Sequence, residues 1–292
     1  MSRIKKVEER LGAHVSAQGG VHMAPARGLD IGATAIQVFT KTPNQWREPL
    51  MEEATCDAFH EAYGTSGLRC IVAHDSYLIN LASPDTELNA RSGDAFAREL
   101  ARCALLGIPG VVSHPGNYMD DRVQGIARNA AGIARALEHV QGDVMVYLET
   151  TAGTGTSLGS TIAELAEIRD RIPAPLQHRI GFCADTCHLY SAGYDLVANF
   201  DGVWAEWDRL IGMEHLHCLH LNDSKTAFAS RRDRHALIGE GSLGPAPFQR
   251  IMTDARFAGI PKILETPKGD DDLVTNDRAM LALLRSLASA PR

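Results

Sequence analysis

The chain has 292 residues, 45% hydrophobic and 22% charged, which is enough to bury a sizeable core. That balance excludes a disordered chain, a collagen or a coiled coil, and no run of 18 apolar residues is available to cross a membrane. A formal charge of −7 excludes a generic basic surface that coats nucleic acid, although the local field of a metal site can still attract phosphate.

In chain order, the N-terminal stretch MSRIKKVEERLG lacks the apolar segment of a signal peptide. Eight β-rich runs follow: LGAHV (11–15), TAIQVFT (34–40), CIVAH (70–74), GVVSH (110–114), VMVYLET (144–150), IGFCADT (180–186), HCLHLND (217–223) and KILET (262–266). Their ends lie 26 to 45 residues apart, the length of one βα unit. Helical stripes fill the gaps at 94–107, 126–140, 161–172 and 248–257; in the first, Phe96, Leu100, Cys103, Ala104 and Gly107 share a face.

Eight alternations without a linker or a composition shift predict an α/β fold, a single (β/α)8 TIM barrel over residues 1–292. A doubly wound sheet would want GxGxxG after its first strand, and 19–28 lacks that spacing. The glycine-rich stretch 151–159 lacks the Lys-Ser/Thr of a P-loop and reads as a flexible βα loop. The six cysteines (56, 70, 103, 183, 187 and 218) form no CxxC pair, so reduced thiols in the cytoplasm are expected.

The C-terminal ends of barrel strands form the active face. There this chain places His74, His114, Glu149, Asp185, His220 and Glu265 on six successive strands, with His188, Asp233 and His235 in the following segments. A single strand-end His or Asp often just caps a helix or binds a loop amide. Six strands delivering such groups to one rim would repel or resist burial unless cations held them. Imidazole and carboxylate donors suit Zn²⁺, with Mn²⁺ or Fe²⁺ as substitutes, and nine donors suffice for two or three ions. Metal-assisted hydrolysis or isomerisation is the chemistry implied. His14, ending the first strand, reads as a donor to a ligand or to phosphate. His22, His60, His139, His178, His215 and His217 read as structural, and Cys183 and Cys187, without partners at finger spacing, as non-ligands.

The blocks GAHVSAQGG (12–20), FTKTPNQWR (39–47), HDSYLINLASP (74–84), HPG (114–116), LETTAGTG (148–155), DTCHLYSAGYD (185–195), HLNDSK (220–225), DRHALIGEGSLG (233–244) and ILETP (263–267) resemble the endonuclease IV family of apurinic/apyrimidinic endonucleases nearly end to end. The resemblance implies a trinuclear zinc barrel that hydrolyses the phosphodiester 5′ to an abasic site in double-stranded DNA. The products are a 3′-hydroxyl and a 5′-deoxyribose phosphate, and blocked 3′ ends are trimmed as well. It implies His74, His114 and Glu149 on a first zinc, a bridging Glu149 with Asp185, His220 and Glu265 on a second, and His188, Asp233 and His235 on a third. Glu149 and Glu265 are then catalytic, Glu265 also orienting the attacking water.

The same resemblance implies that Tyr77 and Leu78 enter the minor groove beside the lesion. This chain departs at Asn44, where the family pattern carries an arginine. Further DNA contacts are expected from Lys41, Arg47, Lys225, Arg231, Arg232 and Arg234, in a monomer with no membrane association. A sugar isomerase or epimerase would use Glu149, Asp185, His220 and Glu265 alone, without the five other donors. A protein that binds abasic DNA without cutting it would not need complete ligand sets.

Overall fold

Every β-rich run contains a barrel strand, and the alternation along these strands decides what faces inward. The computed structural model describes residues 8–48, 50–268 and 275–289; residues 1–7, part of the stretch read for a signal peptide, lie outside them. The strands are β1 (Leu11–His14), β2 (Ala35–Phe39), β3 (Cys70–His74), β4 (Gly110–Ser113), β5 (Met145–Glu149), β6 (Ile180–Asp185), β7 (Leu216–His220), β8 (Asp223–Ser224), β9 (His235–Ala236) and β10 (Lys262–Leu264). All but β8 and β9 are parallel and close into a barrel, β1 to β7 in order with β10 between β7 and β1.

Ala35, Cys70, Val72, Val112, Tyr147, Cys183, Cys218 and Ile263 form one buried cluster, separate from the larger core between strands and helices. Strand side chains repeat every two residues. The residues two further along are therefore Gln37, His74, His114, Glu149, Asp185, His220 and Glu265, stacked on that apolar filling at the barrel mouth. The filling needs close strand approach: a Cβ on Gly12 would lie 1.6 Å from the Ala35 carbonyl oxygen.

The helices are α1 (Ala24–Asp30), α2 (Glu53–Ser66), α3 (Thr86–Leu106), α4 (Arg122–His139), α5 (Ile162–Arg171), α6 (Thr186–Ala192), α7 (Phe200–Leu210), α8 (Ala246–Thr253) and α9 (Thr275–Ser289). Helix α3 starts eight residues before the stripe read at 94–107, because the Asp85 carboxylate accepts from Glu87 N and Leu88 N, both at 3.0 Å. Phe96, Leu100 and Cys103 are buried as that stripe requires, but Gly107 is the exposed left-handed cap at φ 66°. The stripe at 248–257 is also not one helix. Asp254 is extended, and its side chain accepts from Arg256 N at 2.9 Å, ending α8 and opening a 3₁₀ turn at Ala255–Phe257.

Two further expectations are corrected. The run 217–223 is not one strand: β7 ends at His220, and Asp223 turns into β8, antiparallel to β9. The loop 151–159 is tied down rather than loose. Thr151 bonds Leu158 O through Oγ1 at 2.8 Å, Leu158 N donates to Gly116 O at 2.9 Å, and Gly159 N donates to Glu164 Oε2 at 3.1 Å. All six cysteines are buried and unpaired. Among the described residues no helix is long and apolar enough to cross a membrane.

Candidate metal centre

Glu149, fully buried at the end of β5, is the hub of the barrel mouth. Its Oε2 lies 2.9 Å from His114 Nε2 and 3.2 Å from His74 Nε2, and its Oε1 lies 2.9 Å from His220 Nδ1. Asp185 divides its two oxygens. Oδ1 caps α6 by accepting from His188 N at 2.9 Å, while Oδ2 faces His235 Nε2 at 3.6 Å and His220 Nδ1 at 3.9 Å. That cap places His188 one turn into α6, with its Nε2 3.2 Å from Asp233 Oδ2. Asp233 Oδ1 in turn lies 3.1 Å from His235 Nε2.

Three of the rings anchor their other nitrogen on a main-chain carbonyl. His74 Nδ1 lies 2.9 Å from Asp75 O, His188 Nδ1 2.8 Å from Thr150 O, and His235 Nδ1 3.1 Å from Glu265 O. Such contacts place the proton on the outer nitrogen and leave the inner lone pair bare. Asp223 fixes the hairpin that carries Asp233 and His235. Its buried carboxylate accepts from Ser224 N, Gly239 N, Gly241 N and Leu243 N at 2.7 to 3.1 Å.

Imidazole and carboxylate donors alone form three sets, each with its ligand atoms within 4.8 Å of one another: His74, His114 and Glu149; Glu149, Asp185, His220 and Glu265; His188, Asp233 and His235; with thiols counted, Cys183, Cys218 and His220 and also Asp185, Cys187 and His235 lie equally close. The first three sets fit divalent cations. The inward Nε2 atoms of His188 and His235 are buried and make no hydrogen bond although Asp233 oxygens stand close to both, the arrangement of donors around an ion rather than of donor and acceptor. Burial opposes ionisation of Glu149, but the His220 and His114 rings outweigh it and hold the carboxyl well below the usual range. Burial likewise opposes protonation of His74 and His235. Glu149 beside the first and Asp185 beside the second overcome it and push each up to about 9. Burial pushes the Cys187 thiol up to about 11 and raises that of Cys183, so neither offers a thiolate readily.

His14 lies beside the centre, its Nδ1 3.3 Å from Glu265 Oε1. It lines a cleft of about 950 Å³ together with Phe39, Lys41, His74, Tyr77 and Lys268. Tyr77 is 70% exposed there, its ring edge-on to Phe39 at 5.1 Å, and the neighbouring Leu78 is half-buried. The Ser76 hydroxyl donates to Pro43 O, which joins the loop of Tyr77 to the loop of Asn44. Asn44, Arg47, Lys225, Arg231, Arg232 and Arg234 are exposed. Lys41 is placed differently: its ammonium turns inward to Gln45 O and Thr42 O, 3.7 Å from Glu48. A second cleft of about 550 Å³ runs from His114 and His188 past Thr151 to Arg232 and Arg234.

Sequence reasoning passed over Gln37 and gave no role to Asp75 and Asn222, polar residues just past the ends of their strands. Gln37 bonds Glu265 and His220, Asp75 accepts from Ser113 Oγ at 2.6 Å behind His74, and Asn222 Nδ2 donates to Asp185 Oδ2 at 2.6 Å. A polar residue at an inward position of an apolar strand was the available signal for Gln37.

A family model described as a xylose isomerase-like TIM barrel matches residues 25–289. A curated relative from Geobacter sulfurreducens, named "Probable endonuclease 4", is 47% identical over 270 residues, covering 91% of this chain and 90% of its own. The crystal structure of endonuclease IV from Thermus thermophilus superposes with a TM-score of 0.82 at 34% identity, covering 95% of this chain and 100% of that one. D-psicose 3-epimerase from Clostridium cellulolyticum H10 superposes with a TM-score of 0.66 at 14% identity, covering 96% and 99% of the two chains, a likeness of fold alone. The end-to-end identity and the shared barrel bear out the resemblance carried by the motifs: the chain belongs to the endonuclease IV family of apurinic/apyrimidinic endonucleases.

Proposed function

We propose that the three donor sets hold three zinc ions and that the chain hydrolyses the phosphodiester 5′ to an abasic site in double-stranded DNA, leaving a 3′-hydroxyl and a 5′-deoxyribose phosphate. The observation that carries this reading is the convergence of nine strand-end and hairpin donors into three sets, two of them sharing Glu149. When bound, the ions supply Lewis-acid charge that acidifies water and neutralises phosphate and leaving oxygen. Mn²⁺ and Fe²⁺ accept the same donors.

His74, His114 and Glu149 hold the first ion, Glu149, Asp185, His220 and Glu265 the second, and His188, Asp233 and His235 the third. Glu265, anchored through Oε1 by Gln37 at 2.7 Å, orients the attacking water. The two clefts take the strand on either side of the scissile bond, and blocked 3′ ends enter the same centre. The protein works as a cytoplasmic monomer, a setting that suits six unpaired cysteines.

Incision of a duplex carrying one abasic analogue, run beside metal analysis of the same preparation, tests the reading. About three zinc ions per chain and a nick 5′ to the lesion are expected. Full activity at a stoichiometry near one would overturn the trinuclear centre, and binding without a nick would favour a recognition protein.

The DNA contacts give a separate expectation. A flipped abasic nucleotide leaves a hole in the base stack, and Asn44 is too short both to stack there and to reach phosphate as a guanidinium would. Exposed Tyr77, with Leu78, then carries more of the wedge. Tyr77→Ala should weaken binding to an abasic duplex by ~1–3 kcal/mol, the worth of one base–aromatic stack, and Asn44→Arg should tighten it. Equilibrium binding to matched abasic and intact duplexes measures both. Wild-type affinity in Tyr77→Ala alongside a loss in Asn44→Ala would make Asn44 the lesion probe instead.

A further inference from the structure

Gln37 is fully buried within β2, and its amide stands among three polar groups. Its Nε2 lies 2.7 Å from Glu265 Oε1 and 2.9 Å from His14 Nδ1, and its Oε1 lies 2.8 Å from His220 Nε2. Chemistry fixes which end is which. An ionised carboxylate only accepts, so the amide nitrogen must face Glu265. The amide oxygen then faces His220, and because it too only accepts, His220 Nε2 must carry a proton.

With Nε2 protonated, a neutral His220 ring has its lone pair on Nδ1. That atom looks at Glu149 Oε1 at 2.9 Å, Glu265 Oε2 at 3.2 Å and Asp185 Oδ2 at 3.9 Å. Such a lone pair among three carboxylate oxygens is repelled unless a second proton or a cation sits there, and in the metal-loaded protein that place belongs to the cation. The same amide sorts the oxygens of Glu265 as well, engaging Oε1 and leaving Oε2 toward the shared point.

We propose that Gln37 is a positioning residue for the second ion: one amide selects Nδ1 of His220 and Oε2 of Glu265 as the atoms offered to it. This rests on the zinc reading above. The other outer nitrogens with an identified hydrogen-bond partner bond main-chain carbonyls, with the Asp75 carboxylate 3.5 Å from that of His74 and the Glu149 carboxylate 3.4 Å from that of His188. Removing the Gln37 amide frees the His220 ring to turn and leaves Glu265 Oε1 with only the longer contact to His14 at 3.3 Å, and both residues belong to one donor set.

Gln37→Met keeps length and volume while removing donor and acceptor. In chelator competition on the zinc-loaded protein, one of three ions should be held about 10–100-fold more weakly than in wild type, with the other two unchanged. Nitrogen-15 NMR of the histidine rings in loaded wild type should find the His220 proton on Nε2. Wild-type affinity for all three ions in Gln37→Met would overturn the assignment, as would a His220 proton on Nδ1. The ring measurement decides alone if the variant does not fold. A wild-type count other than three would sink the zinc reading, and the position of the His220 proton would still test Gln37.

Discussion

Glu149→Gln is expected to fold and to lose incision by well over the ~10–100-fold typical of residues that merely support a ligand. The carboxylate is the hub of the centre: one oxygen faces His74 and His114, the other His220. An amide keeps the shape but has one accepting atom instead of two and no charge, so it cannot serve two donor sets together. Its NH₂ cannot ligate a cation, so one of the two sets would lose its Glu149 atom. Glu265→Gln should behave alike, since one of its oxygens is already committed to Gln37. Single-turnover incision of an abasic duplex, with circular dichroism to establish folding, measures the loss. Near-normal turnover in either folded variant would mean that the reacting atoms lie elsewhere.

Removing the ions should abolish incision and also invert the response of stability to alkali. In the ion-free chain His74 and His235 keep their protons up to about pH 9, against about 6.5 for an unperturbed ring. A pKa raised on folding contributes stability that is complete below about pH 6.5 and lost as the pH rises through about 9. Glu149 and Glu265 have the opposite sign: held below the usual carboxylate range, they stabilise above about pH 4.5 and lose that contribution as acid protonates them. The chelated protein should therefore melt on the order of 5 °C lower at pH 9 than at pH 6. The loaded protein needs those histidines deprotonated, so its ions bind more tightly over the same interval. Calorimetry of both forms across that range checks the contrast, and parallel profiles would contradict it.

The barrel and its donors were legible because strand periodicity is short and strict. His74, Glu149, Asp185 and His220 end their strands, and His114 and Glu265 directly follow theirs, each two residues beyond an apolar inward neighbour. The endonuclease IV motifs then fixed the family. Gln37 obeys the same two-residue rule from Ala35 and went unread because it lies within a strand rather than at its end. Thr150 could not be read at all, since it meets His188 through a main-chain oxygen that any residue would supply. The β8–β9 hairpin is two residues per strand, too short for any periodicity to register. The breaks at Asp254 and Gly107 are local side-chain and backbone effects that interrupt an otherwise valid helical stripe.

The hairpin held by Asp223 separates two kinds of architecture within one centre. Six of the nine donors sit on or directly after barrel strands, where any displacement must open the strand ladder. Asp233 and His235 instead sit on a hairpin whose base one carboxylate ties by gathering four main-chain N–H groups, and a Cβ on Gly241 would lie 2.4 Å from an oxygen of that carboxylate. The hairpin is thus tied by a knot outside the ladder, and only the His235 ring reaches back to it, through Glu265 O. Lengthening or re-tying the loop between residues 225 and 243 would re-aim this pair while leaving the closed core intact. Such a partition separates two kinds of change: the strand-borne donors and His188 on α6 are held by the barrel and its following helix, whereas the other two donors of the third set can be retuned as a loop cassette.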